Sequence, residues 1–262
     1  MSVKLYYKKS GEGPIPLIII HGLFGSHKNW SSISKELSGL CTVYAVDMRN
    51  HGDSPNTDTH TLGDMSGDIE LFCLDHSINK PVILGHSMGG LAAMAYALKH
   101  PERISGLIIE DIAPKFYRNG HENEFKSLHM DLSNFRNRKE VDEAMQKYVS
   151  DPMVRQFLQM SLDSTQSEGY KWKLNVGVLE SSNFIEEFKY IKGTYPGKAL
   201  FIAGGASNYV TEEDHIKIKE FFPEARIHTL KNADHWLHYS ARDSFLIELK
   251  AFLTQIADSE ST

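Results

Sequence analysis

The chain has only two cysteines in 262 residues, Cys41 and Cys73. A disulfide framework needs more pairs than that. Both sit beside apolar residues such as Val43, Phe72 and Leu74, so they read as buried thiols in a reducing compartment. Long apolar runs are also missing: none reaches the roughly 18 residues needed to cross a bilayer. The opening Met-Ser-Val-Lys-Leu-Tyr-Tyr-Lys-Lys has no apolar signal region. A cytoplasmic protein without stable membrane insertion is expected. Nor is there a basic excess. Lys and Arg number 28 against 34 Asp and Glu, for a net charge of -6, which offers no footprint for nucleic acid. No phosphate-cradling glycine loop and no dinucleotide fingerprint occurs.

What is present is an ordinary globular balance, 41% apolar and 24% charged. Residues 17–20, 43–46, 82–84, 107–109, 199–203 and 227–230 form short apolar or β-branched runs, as strands covered on both faces do. Residues 4–7 read as an antiparallel edge strand. Amphipathic stretches lie between the strands. Leu62, Met65, Ile69 and Phe72 make one stripe, and Phe245, Leu249, Phe252, Leu253 and Ile256 another. This alternation predicts an α/β fold, a mostly parallel central sheet flanked by helices. Between residues 114 and 195 the alternation stops. Segments 122–132, 141–149, 154–160 and 183–191 look helical, and no buried strand is evident. We read 114–195 as a helical cap inserted into a core made of 1–113 and 196–262. The polar tail 258–262 reads as frayed.

The strongest chemical signal is Gly85-His86-Ser87-Met88-Gly89-Gly90, which follows one of the strands and precedes an Ala-rich helix. A G-x-S-x-G in that setting is a nucleophile elbow. The serine occupies a sharp turn, and the chain crowds together two residues to either side, where a Cβ would clash.

With His21-Gly22-Leu23-Phe24-Gly25-Ser26, Asp47-Met48-Arg49-Asn50-His51-Gly52-Asp53-Ser54, Asp111-Ile112-Ala113-Pro114 and Ala233-Asp234-His235-Trp236, the chain resembles the α/β-hydrolase fold. More narrowly, it is similar nearly end to end to the YbfF-like and ABHD11-like serine esterases. The resemblance implies a base after the last strand, which makes His235 the choice among 13 histidines. It implies an oxyanion hole built from the amides of Leu23 and Met88. His86 should point away from the reaction, and His238 has the look of a surface residue.

The acid is where the chain departs from the fold's commonest pattern. After the strand at 199–203, where an aspartate is usual, stands Ser207, which cannot supply a negative charge. Asp111 matches the Asp-Ile-Ala-Pro segment of the resembling esterases and takes the role. Glu110 should face the other side of the strand, and Asp214 is a weaker candidate within the next helix. Phe24, Trp172 and Trp236 are candidate pocket residues, although Trp172 equally fits a tryptophan packed inside the cap. The segment 47–54 reads as a structural loop below the site. His235 and His238 have a spacing seen in metal sites, but no carboxylate or cysteine pattern accompanies them. No metal and no cofactor is therefore expected.

The implied activity is hydrolysis of a small-molecule carboxylic ester, or of an acyl thioester such as acyl-CoA, through a Ser-His-Asp triad and an acyl-enzyme. Two alternatives stay open: a lyase or carbon–carbon bond hydrolase on the same triad, and a low-turnover ligand-binding homologue.

Overall fold

The computed structural model describes residues 1–118, 120–164 and 169–260, and the backbone alone at 260. Nine strands are found among them: β1 (Tyr7–Ser10), β2 (Ile15–Ile20), β3 (Cys41–Val46), β4 (Val82–His86), β5 (Gly106–Glu110), β6 (Leu162–Ser164), β7 (Tyr170–Trp172), β8 (Ala199–Gly204) and β9 (Ala225–Leu230). Seven form one sheet in the order β1-β3-β2-β4-β5-β8-β9. All its pairings are parallel except β1 with β3. The edge strand begins at Tyr7 and not at Lys4. Leu5 is buried without sheet pairing, and the paired stretch is the polar Tyr-Lys-Lys-Ser, so the apolar residue marked packing and not pairing.

The sheet separates two apolar layers, and strand alternation decides which residue enters which. Ile18, Ile20, Ile83, Leu107, Ile109 and Phe201 face one layer. Leu17, Ile19, Leu84, Ile108, Leu200 and Ile202 face the other. The first layer is covered by α2 (Leu62–Asp75) and α3 (Met88–Lys99). The expected stripe of α2 is buried in full, and Thr61 caps its N-terminus by accepting from the Asp64 amide. The second layer is covered by α1 (Ser31–Leu37) and the helix Arg242–Glu260. The latter runs through most of the tail expected to fray, and residues 261 and 262 lie outside the described part.

Between β5 and β8 lies the insertion, with helices Glu122–Leu128, Arg138–Met145, Pro152–Gln159 and Val176–Ser181 and a 3-10 helix Phe184–Tyr190. It also contains the hairpin β6–β7, which the sequence reading lacks. Three-residue strands with one buried position carry too little periodicity to be read. The cap has its own apolar cluster, including Phe125, Leu128, Val141, Met145 and Leu158. Phe24 from the sheet's edge inserts into it.

The 47–54 loop is tied down from below. Arg49 sends Nε to Asp68 Oδ2 at 2.6 Å and Nη2 to Oδ1 at 2.7 Å, with both residues fully buried. Removing one partner of such a pair strands the other charge in the core. Asp68→Ala is therefore expected to lower unfolding stability by about 3–5 kcal/mol, measured by urea denaturation; a change under about 1 kcal/mol would show the pair to be dispensable.

Candidate active site

Strand β4 ends at His86 and α3 starts at Met88, leaving Ser87 alone in the turn with φ 51° and ψ -116°. That left-handed conformation is costly for a residue with a Cβ. The glycines make the turn possible. A Cβ on Gly85 would lie 2.3 Å from the Gly89 carbonyl oxygen, and one on Gly89 would lie 2.5 Å from that of Ile20. The Ser87 amide donates to the Glu110 carbonyl at 3.1 Å, which ties the turn to the end of β5.

Asp111 follows β5 directly, also at positive φ (48°), and is fully buried. A buried carboxylate needs donors. Its Oδ1 accepts from the Gly204 amide at 2.8 Å. Its Oδ2 accepts from the Ser207 hydroxyl and from His235 Nδ1, the latter at 2.7 Å. Ser207 is thus present at the carboxylate as a donor, from the loop where the fold commonly supplies the acid itself. With Nδ1–H committed to Asp111, Nε2 of His235 is the nitrogen left for a substrate or nucleophile. The Tyr209 ring stacks on the imidazole at 3.8 Å and 16°. Tyr209 is held in turn by Tyr117, whose hydroxyl donates to its carbonyl at 2.8 Å. Neither tyrosine carries a sequence motif, and both were missed.

The Leu23 loop is fixed from both sides. Gly25 donates to the Gly22 carbonyl at 3.0 Å, and the Phe24 amide donates to His51 Nε2 at 3.3 Å. His51 accepts at Nε2, so its proton sits on Nδ1, which donates to the Arg49 carbonyl at 2.9 Å. His21 repeats the arrangement, accepting from the Met48 amide at 3.0 Å and donating to the Gly22 carbonyl at 2.8 Å. Burial, reinforced by the neighbouring histidines His21 and His60, holds His51 well below the ordinary imidazole range. Met88 is the first residue of α3, where an amide has no partner within the helix.

Ser87 and His235 open onto one cleft of about 60 Å³, lined also by Leu23, Phe24, His121 and Phe157. No hydrogen bond joins the Ser87 hydroxyl to the His235 ring among the described residues, a looseness common before substrate binds. Phe157 and Trp236, with ring centroids 5.5 Å apart, stand between this cleft and a larger apolar cavity of about 340 Å³. Phe24 and Trp236 line this cleft. Trp172 does not: it packs with the cap cluster on β7, its Nε1 buried. His86 does not turn away; its Nε2–H donates to the His235 carbonyl at 2.9 Å. His238 is not a surface residue but is buried against Glu110 at 2.8 Å. That carboxylate is supplied by the fold from 128 residues away, which spacing along the chain cannot reveal. Glu110 faces away from Asp111's partner as alternation requires. Asp214 opens the helix Asp214–Phe221 and pairs with Lys115 at 2.5 Å, taking no part at His235.

A positive-φ serine between strand and helix, with a histidine–carboxylate pair beside it on a parallel sheet, is the arrangement of one fold family. The family model for the alpha/beta hydrolase fold matches residues 15–241, and the chain belongs to that family. Its relatives include carboxylic-ester hydrolases. It is 35% identical over 253 residues to the zebrafish (Danio rerio) sn-1-specific diacylglycerol lipase ABHD11, covering 91% of this chain and 78% of the relative. It is 32% identical to the Escherichia coli K12 esterase YbfF, covering 91% and 92% of the two chains. Among solved structures it is similar to a marine microorganism esterase, with a TM-score of 0.90, 34% identity, and 95% and 99% of the two chains covered.

Four buried histidines, His86 beside the cleft and His21, His51 and His60 behind the Leu23 loop, are shifted toward the neutral form. Burial is the largest cause of depression at His21, His51, His60 and His86, and it takes His60 to about 3. Unfolded histidine titrates near ~6.5, so as pH falls below that value the unfolded chain takes up protons that the folded one refuses. Stability is therefore full above about pH 6.5 and falls by roughly 1.4 kcal/mol per pH unit for each such histidine. Urea midpoints measured from pH 7 down to 4.5 should drop steeply, and less so in His60→Leu; a flat profile would refute neutral burial.

Proposed function

We propose that this chain hydrolyses carboxylic esters through an acyl-enzyme on Ser87. The observation that carries the reading is the 2.7 Å bond from His235 Nδ1 to buried Asp111 beside the strained serine turn. Serine is a weak nucleophile until a base takes its proton. His235 Nε2 removes that proton as Ser87 Oγ attacks the acyl carbonyl. Asp111 holds the tautomer and stabilises the imidazolium that forms. The amides of Leu23 and Met88 bind the oxyanion. The imidazolium then protonates the leaving alcohol, and water repeats the sequence on the acyl-enzyme. Ser207 supports the relay by donating to the same carboxylate oxygen as His235.

The reading extends to acyl thioesters, whose carbonyl is attacked in the same way. It assigns the 340 Å³ apolar cavity beyond Phe157 and Trp236 to longer acyl chains. The zebrafish relative is an sn-1-specific diacylglycerol lipase, which makes a diacylglycerol a further candidate. A reducing, cytoplasmic setting belongs to the same proposal and suits the two free, buried thiols.

A panel of p-nitrophenyl esters and acyl-CoAs of graded chain length tests the substrate class. Ser87→Ala should lose ester turnover by at least about 10³-fold while remaining folded, and Asp111→Asn should fall about 10⁴-fold. Undiminished turnover in the Ser87 variant would discard the mechanism.

A further inference from the structure

Two carboxylates stand next to each other at the end of β5, and they serve two histidines three residues apart, His235 on the loop after β9 and His238 in the short helix Leu237–Ser240 that follows. Asp111 holds the ring of His235. Glu110, on the opposite face of the strand, holds His238. Its Oε1 accepts from the His238 amide at 3.0 Å and from His238 Nδ1 at 2.8 Å, and its Oε2 lies 3.1 Å from the same nitrogen. Both residues are buried, and Trp30 stacks on the His238 ring at 4.5 Å and 23°. The main chain of Glu110 is engaged as well, since its carbonyl accepts from the Ser87 amide. One residue therefore grips the serine turn with its backbone and the histidine loop with its side chain.

On the solvent side, Asp234 and Ser240 bond to each other, and Asp234 Oδ1 accepts from the Trp236 amide. His86 Nε2 donates to the His235 carbonyl and the Ala206 amide to that of Ala233, while the chain beyond His235 closes into the short helix Leu237–Ser240, with the Tyr239 and Ser240 amides donating to the Trp236 carbonyl and Leu237 fully buried. None of these hydrogen bonds joins that helix to β5; the Glu110 side chain does. A histidine that must meet a serine hydroxyl across a gap needs both ends of its loop fixed, because misplacement by about 1 Å can cost on the order of 10²-fold in rate.

We propose that Glu110 and His238 form a second carboxylate–histidine clasp that sets the position of His235 relative to Ser87. It touches no substrate and is a positioning device. It rests on the reading of Ser87 and His235 given above. A clasp of this kind works through geometry, so an uncharged acceptor should serve in place of the carboxylate. A glutamine at 110 keeps an oxygen where Oε1 accepts its two bonds.

The test compares Glu110→Ala and Glu110→Gln in steady-state hydrolysis of a p-nitrophenyl ester, with thermal unfolding to confirm folding. Glu110→Ala should lower kcat by about ten- to hundred-fold with KM within about two-fold, and slow fluorophosphonate labelling of Ser87 in proportion. Glu110→Gln should recover most of the loss. If Glu110→Ala does not fold, His238→Asn, whose Nδ2–H can replace the ring donor, is compared with His238→Leu; the asparagine variant should be the faster. A folded Glu110→Ala with wild-type kcat, or a glutamine variant as slow as the alanine one, would overturn the clasp. Wild-type turnover that survives Ser87→Ala would instead overturn the underlying mechanism, so the two failures are distinguishable.

Discussion

A carboxylate with no exposed surface has to be supplied with donors or it will take up a proton. Asp111 receives three, from Gly204, Ser207 and His235. Gly204 ends β8, Ser207 lies on the loop that follows it and His235 on the loop that follows β9, so the bond network also fixes how those loops approach β5. The Tyr209 ring on His235, and Tyr117 behind it, extend the same constraint into the start of the cap. Remove the carboxylate and two separate chain segments lose their common partner.

The backbone is strained where these loops leave the sheet. Phe24, Asn50, Ser87, Asp111 and Asn232 all have positive φ, and each follows a parallel strand at its carboxyl end. Strain of this kind, about 1–3 kcal/mol per residue, survives only where the surroundings over-determine it. Here the surroundings are a sheet with two full apolar layers, and the strained residues gather at the edge where ligands of open α/β sheets bind.

Much of this was legible in the residues. Every core strand was located by its apolar run, because strands covered on both faces have no polar alternation to dilute the signal. The elbow was legible because glycines are demanded on either side of Ser87. Other features were hidden for physical reasons. His238 has the ordinary look of a residue one turn beyond His235, and only the approach of Glu110 from a distant strand buries it. Trp172 fitted a pocket wall and a packed cap tryptophan equally well, and only the hairpin β6–β7 decides for the cap's own cluster. The polar pairing segment of β1 was passed over in favour of Leu5, since burial and strand pairing separate at that edge. Phe24 was read as a pocket wall, and its second role in the cap cluster depended on helices whose packing no local pattern specifies.

That second role of Phe24 has a consequence for how the molecule can evolve. Its ring lies 5.1 Å from Phe125 inside the cap, while its amide, one residue from Leu23, is pinned by His51. The insertion and the loop that would stabilise negative charge therefore share a rivet. Lineages that exchange or rebuild the insertion must either keep an aromatic side chain ready to accept that ring or re-engineer the turn beneath it. Roof and floor are coupled through this one side chain, so grafting a foreign roof would disturb the turn below even if every reacting group were retained.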